Sequence, residues 1–141
     1  MTATKKEGIN TDHISSLLAE KGYEVSVQGE HILHIREVGS GVVVQAALAE
    51  DILFLSLNCV TVADSAVTAE LMAKMLDADN GISTSHFQLY SAGDGKTSIM
   101  LNNFCTLQDM GPEDEDDILS CVHFLLVDVI EARRLIGDMV S

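Results

Sequence analysis

The segment 112–141 constrains this chain more than any other. Its single proline, Pro112, is followed by five consecutive acids, Glu113-Asp114-Glu115-Asp116-Asp117, and then by an apolar run with no breaker before Gly137. Proline suits the first position of a helix, where its missing N–H has no partner to lose, and carboxylates suit the positive end of the helix dipole. The segment therefore reads as one long terminal helix. Ile118, Val122, Leu125, Val129, Ala132 and Ile136 form one stripe, which Leu119, Leu126, Ile130 and Met139 widen. With Phe124, Val127 and Leu135 added, the helix is apolar nearly all round. Such a helix needs cover on more than one side, from a thick core or from a subunit interface. In a chain of 141 residues with one sheet, the interface is the attractive option, and a symmetric homodimer is its commonest form.

The acids themselves have a simple explanation. All five fall in the first turns, where the dipole stabilises each by about 0.3–1 kcal/mol and mutual repulsion subtracts from the sum. Arg133 and Arg134 complement the negative end. A docking role for residues 113–117 is the competing reading.

The length implies one domain, read here as residues 10–141 behind a polar, disordered start at 1–9. The net charge of −14, from 22 acids against 8 bases, opposes binding to nucleic acid or to an anionic membrane surface. No apolar segment is long enough to insert into a membrane, and no signal peptide is evident, so a cytoplasmic location is expected. Cys59, Cys105 and Cys121 are far apart in sequence and odd in number, a poor disulfide framework and a poor zinc site.

Asn10 or Thr11 can cap a first helix carrying Ile14, Leu17 and Leu18, and Gly22 is placed to end it. Period two then takes over. Segment 23–38 is one long strand with a bulge near Gly29 or a tight hairpin. After the turn Gly39-Ser40-Gly41, residues 42–48 form a strand, apolar on both faces at Val42-Val43-Val44. In 52–60, Leu53, Leu55, Leu57 and Cys59 face one way and Ser56 and Asn58 the other. Asp64 or Ser65 caps a second helix with Val67, Leu71, Met72, Met75 and Leu76 on one stripe. Strands at 82–90 and 97–107 follow, joined by the turn-rich loop 91–96. The fold class is α+β, ordered α-β-β-β-α-β-β-α, with a mainly antiparallel five-stranded sheet packed by helices.

Candidate chemical motifs mostly dissolve. Gly95-Lys96-Thr97 resembles the end of a phosphate-binding loop, but Tyr90 stands where that loop needs glycine, and a strand follows instead of a helix. Asp77-Ala78-Asp79-Asn80-Gly81 resembles a calcium loop, but Gln88 occupies the position of the bidentate glutamate, so a helix-ending turn fits better. His31 and His34 point to opposite faces of a strand, which defeats chelation. His86 and His123 stand alone, and Cys121 reads as an inert thiol with no base near it in sequence. No enzyme activity, metal or cofactor is expected.

Over residues 71–136 the pattern resembles a known family. Leu71-Met72-Ala73-Lys74-Met75-Leu76 leads to an Asn80-Gly81 turn, then to Phe87-Gln88-Leu89-Tyr90, a Gly/Asp hairpin and Ile99-Met100-Leu101. The closing helix opens on Asp116-Asp117-Ile118-Leu119 and runs through His123-Phe124 to Val129-Ile130-Glu131. This order is similar to the class I type III secretion chaperone fold, shared by the YbjN-like group of bacterial proteins. The resemblance implies a small acidic dimer that holds an extended or amphipathic segment of a partner protein along apolar grooves. Candidate contact residues are Leu17, Leu18, Leu33, Ile35, Val42 and Val44. The alternative is a regulatory or structural protein of the same fold that binds a folded partner without chaperone activity. The terminal helix is longer than that of the secretion chaperones, which favours the wider superfamily.

Overall fold

Asn10 starts the first helix, α1 (Thr11–Glu20), by accepting the His13 N–H on its side-chain oxygen at 2.9 Å. Gly22 ends it in the left-handed region at φ +95°. The computed structural model from which this geometry comes describes residues 9–140. Most of the expected disordered start lies outside them. Ile9 does not belong to it, because Ile9 is buried in the core.

Residues 23–38 form a hairpin rather than one bulged strand. Strands β1 (Glu24–Val27) and β2 (Ile32–Arg36) pair antiparallel, with Val27 opposite Leu33. Among the described residues this corrects the expected strand count from five to six. The remaining strands are β3 (Val43–Ala49), β4 (Ile52–Ala63), β5 (His86–Gly93) and β6 (Lys96–Thr106), in the antiparallel order β1-β2-β3-β4-β6-β5. Gly95-Lys96-Thr97 leads out of the β5–β6 hairpin turn, with Asp94 and Gly95 at positive φ, and continues into a strand.

The second helix, α2 (Ala69–Leu76), starts later than the sequence suggests. Its cap is Thr68, whose hydroxyl accepts the Leu71 N–H at 3.1 Å. Asp64 and Ser65 lie instead in a single 3-10 turn, where Asp64 accepts the Thr97 hydroxyl at 2.6 Å. Only Leu71 and Met75 of the expected stripe are buried by α2, while Met72 and Leu76 are exposed. Asp77 to Gly81 is the helix-ending turn: Asn80 donates to the Met75 carbonyl at 2.6 Å, and Gly81 takes φ +86°.

All three helices lie on one face of the sheet. Leu33 and Ile35 of β2, Val44, Ala46 and Leu48 of β3, Leu53, Leu55 and Leu57 of β4, and Ile99 and Leu101 of β6 are buried beneath them. A bulge between Asn58 and Val60 skips Cys59 in the β4–β6 pairing. Arg133 donates to the Cys59 carbonyl at 3.0 Å, so it has a specific partner besides any role at the helix end.

The terminal helix, α3 (Pro112–Val140), begins on its proline as expected. Its six-residue stripe from Ile118 to Ile136 is wholly buried. No helix of the described residues is long and apolar enough to cross a membrane. Among the five acids, Asp114 is unlike its neighbours. It is only 4 % exposed. One of its oxygens accepts the N–H groups of Gln108, Asp109 and Met110 at 2.7, 2.9 and 2.7 Å. Those bonds hold Met110 in the left-handed region at φ +59°, a conformation unfavourable by roughly 1–2 kcal/mol for a residue with a Cβ. Glu115 adds a bridge to His13 of α1 at 3.2 Å.

Charge-assisted hydrogen bonds of this kind contribute about 1.5–3 kcal/mol each, and they share one acceptor here. Asp114→Ala is expected to lower unfolding stability by about 2–3 kcal/mol, read as a fall in the urea midpoint at constant slope. Asp116→Ala, two residues on and exposed, should change it by no more than about 0.5 kcal/mol.

Candidate functional site

A sheet has two faces, and here the helices cover one. The register places the side chains of the other. Phe54 of β4 stands opposite Phe104 of β6 and opposite Ala47 of β3. Next to them, Ser56 is flanked by Gln45 and Asn102, and Asn102 by His86 of β5. Gln88 pairs with Met100, and Tyr90 with Ser98. All of these side chains except Met100 and Ser98 line a shallow basin of about 430 Å³ on the uncovered face.

The basin is aromatic on one side and amide-rich on the other. The Phe54 and Phe104 rings sit 6.3 Å apart, tilted by 38°, and are 47 % and 55 % exposed. Across from them the Gln88 side-chain oxygen accepts the Tyr90 hydroxyl at 2.6 Å and also the Asn102 amide N–H. Asn102 reaches the Tyr90 hydroxyl at 3.3 Å as well. This network fixes the tyrosine ring, itself 48 % exposed, over the sheet. Further along the face, Thr61 bonds Ser98 at 3.0 Å. Arg36 and Glu24 pair at 2.7 Å near the β1 edge.

Among the described residues, none that lines this basin is an acid, on a chain that carries 22. Its donors and acceptors are neutral amides, hydroxyls and an imidazole. The arrangement can therefore recognise a surface by stacking and hydrogen bonding without a charge penalty for approach.

β5 supplies His86, Gln88 and Tyr90, and a buried carboxylate on α3 sets where β5 begins. Asp128 is 1 % exposed. One of its oxygens accepts the Ser83 N–H at 2.9 Å and the Ser83 hydroxyl at 2.8 Å, and the other accepts the Ser85 N–H at 3.3 Å. A carboxylate in an apolar helix stripe is expensive unless its oxygens are hydrogen-bonded, and this one is satisfied by the loop that leads into the strand.

The six positions named from the sequence do not form this surface. Leu17, Leu18, Leu33, Ile35 and Val44 are buried under or within the helical layer, and Val42 packs partly buried against the same core. Alternation shows which side chains share a face, but not which face the helices cover. The apolar half of each strand became the interior. The informative signal was the opposite one: an aromatic residue on the polar side of a strand, as Phe54 is beside Ser56 and Asn58. A second exposed apolar group lies on the outer side of α3, formed by Phe124, Val127 and Ile130.

No protein-family model and no curated protein matches the chain. Among solved structures it is similar to YbjN, a candidate transcription regulator from E. coli, with a TM-score of 0.64 and 17 % identity over 89 % of this chain and 93 % of that one. It is also similar to an uncharacterized protein from Methanothermobacter thermautotrophicus, with a TM-score of 0.60 and 13 % identity over 94 % of this chain and 100 % of the other. These likenesses establish a YbjN-like α+β fold, as the pattern over residues 71–136 anticipates.

If Asp128 positions β5, its removal should act locally first. Asp128→Ala is expected to speed amide hydrogen exchange at Ser83 and Ser85 by roughly tenfold or more and to lower global stability by about 2 kcal/mol. Asp138→Ala, on an exposed part of the same helix, should change neither.

Proposed function

We propose that this chain is a non-enzymatic protein-binding module whose docking surface is the uncovered face of its sheet. One observation carries the reading. Phe54, Phe104 and Tyr90 stand together on the surface, among neutral amides, in a molecule of net charge −14. Aromatic rings of this size are the usual anchors of protein contacts, and clustered exposed apolar groups mark interaction sites.

Its first occupant is a second copy of the chain. Two molecules of charge −14 repel at long range, and the basin offers each an approach free of carboxylates. Side-chain amides both donate and accept, so a face built from Gln45, Gln88 and Asn102 can complement itself about a two-fold axis. Two sheets stacked in this way would lie about 10 Å apart with the four phenylalanines inside. A partner's extended segment, the occupant that the secretion-chaperone resemblance implies, would lie across the same surface.

YbjN's description as a candidate transcription regulator bears on the alternative role, regulation through a folded partner. Such regulation here would run through protein contact, since an acidic chain is repelled by phosphates.

Sedimentation equilibrium tests the surface directly. The wild type should be dimeric at high micromolar concentration. Phe104→Asp should weaken the dimer by up to about a thousandfold, because anchor residues contribute about 2 kcal/mol and a two-fold interface presents each of them twice. Circular dichroism should show the fold retained, as the ring is exposed. A wild type that stays monomeric sinks the dimer. A dimer dissociated by Ile130→Asp but not by Phe104→Asp moves the interface to α3.

A further inference from the structure

Cys105 and Cys121 are far apart in sequence but share one small site. Cys105 is the last residue but one of β6, on the helix-covered side, and Cys121 lies on α3. Both line an open pocket of about 310 Å³ together with Thr84, Asp117, Ser120 and Phe124. The Cys121 sulfur is 3.7 Å from the Phe104 carbonyl oxygen, beside the peptide that carries Cys105. Since the Phe104 carbonyl is bonded directly to the Cys105 nitrogen, this contact brings the Cys121 sulfur alongside the Cys105 residue, in the pocket that both thiols line. A disulfide between them requires the sulfurs to approach to roughly 2.05 Å, and the strand and helix that carry them share this pocket. Cys105 is buried, whereas Cys121 is half-buried and open to the pocket.

We propose that Cys105 and Cys121 form a peroxide-reactive dithiol that closes into a reversible intramolecular disulfide. Cys121 is the attacking sulfur and Cys105 the resolving one. The Cys121 thiolate attacks one oxygen of hydrogen peroxide and the O–O bond breaks. The departing hydroxide takes up the proton that the thiol released, giving water and a Cys121 sulfenic acid. The Cys105 sulfur then attacks the sulfenic sulfur, the S–O bond breaks, and hydroxide leaves with the Cys105 proton as a second water. In sum, two thiols lose two electrons and two protons to one peroxide. A dithiol reductant reverses the change by thiol–disulfide exchange.

The division of roles follows from the surroundings. A hydrogen bond from Cys105 holds the Cys121 thiol below its ordinary value, against opposing burial and the Asp117 carboxylate. Donating that same bond, and burial, push Cys105 up. Access settles the roles: Cys121 is only half-buried and opens on the pocket, whereas Cys105 is buried. Cys59 is the internal contrast: burial pushes it up to about 12, so it stays protonated at neutral pH. The assignment is independent of the docking surface.

Intact-mass and non-reducing peptide mapping of the full chain, titrated with hydrogen peroxide, test it. The expected product has lost two hydrogens, carries a Cys105–Cys121 cross-linked peptide, and returns to the starting mass with dithiothreitol. Cys59→Ser should behave as the wild type. Cys105→Ser should stop at a Cys121 sulfenic acid that dimedone traps, and Cys121→Ser should give no internal disulfide. Oxidation of wild-type Cys121 to sulfinic acid without the cross-link overturns the proposal. So does a disulfide that joins two chains or contains Cys59.

Discussion

The fold depends on where α3 is fixed across the sheet, and two buried carboxylates fix it. Asp114 gathers three N–H groups from the loop leaving β6, and Asp128 gathers two N–H groups and a hydroxyl from the loop entering β5. Apolar contact alone is tolerant of sliding, because one leucine can replace another against a sheet. A buried carboxylate is not tolerant, since displacing it leaves several polar groups unpaired at about 1–3 kcal/mol each. The stripe from Ile118 to Ile136 supplies adhesion. The two aspartates supply register, both along the helix and against β5 and β6.

That register decides which face of the sheet is inside. Strands β2, β3, β4 and β6 send alternate residues under the helices, and on β3 and β4 these are Val44, Ala46, Leu48, Leu53, Leu55 and Leu57. Burying a side chain of this kind contributes about 1.5–3 kcal/mol, so the apolar half of the sheet has one stable position. The opposite half is left to the solvent with Phe54 and Phe104 on it. Stability does not require those two rings, because they are about half exposed in the single chain. Their placement over the two longest strands, flanked by amides and free of acids, makes sense as a contact surface.

Local chemistry was legible in the sequence wherever one residue sufficed to determine it. Asn10 caps α1, Gly22 ends it in the left-handed region, and Pro112 starts α3, each for reasons visible in the residue type. Choices among similar residues were not legible. Thr68 caps α2 in place of Asp64 or Ser65, because β4 runs on to Ala63 in its ladder with β6. Five acids in a row look alike, and only the path of residues 107–111 singles out Asp114. The hairpin at 23–38 was an open alternative, settled by the pairing of Val25 with Ile35. The site was hidden for a related reason. Its residues come from four strands, and apolar alternation draws attention to the half of each strand that the helices bury.

The period of two also brings the uncovered face and the thiol pair back to back. Phe104 points into the open basin while Cys105, the next residue, points towards α3. The register ties them further: Phe104 lies opposite Phe54 and Cys105 opposite Leu53, so the same two strands carry both sites. β5 pairs with β6 only from Asn102 onwards in the direction of the hairpin, and the outer edge of β6 beyond it is met by side chains instead. There Asn103 accepts the Phe104 N–H at 2.8 Å, and the Cys121 thiol reaches the Phe104 carbonyl. The backbone that aims the Phe104 ring is thus held on one side by β4 and on the other by a cysteine. A sheet residue cannot shift its backbone without moving its side chain, because the pleat couples them. The Cys121 thiol and the Asn103 side chain are the partners of the Phe104 backbone where β5 leaves β6 unpaired.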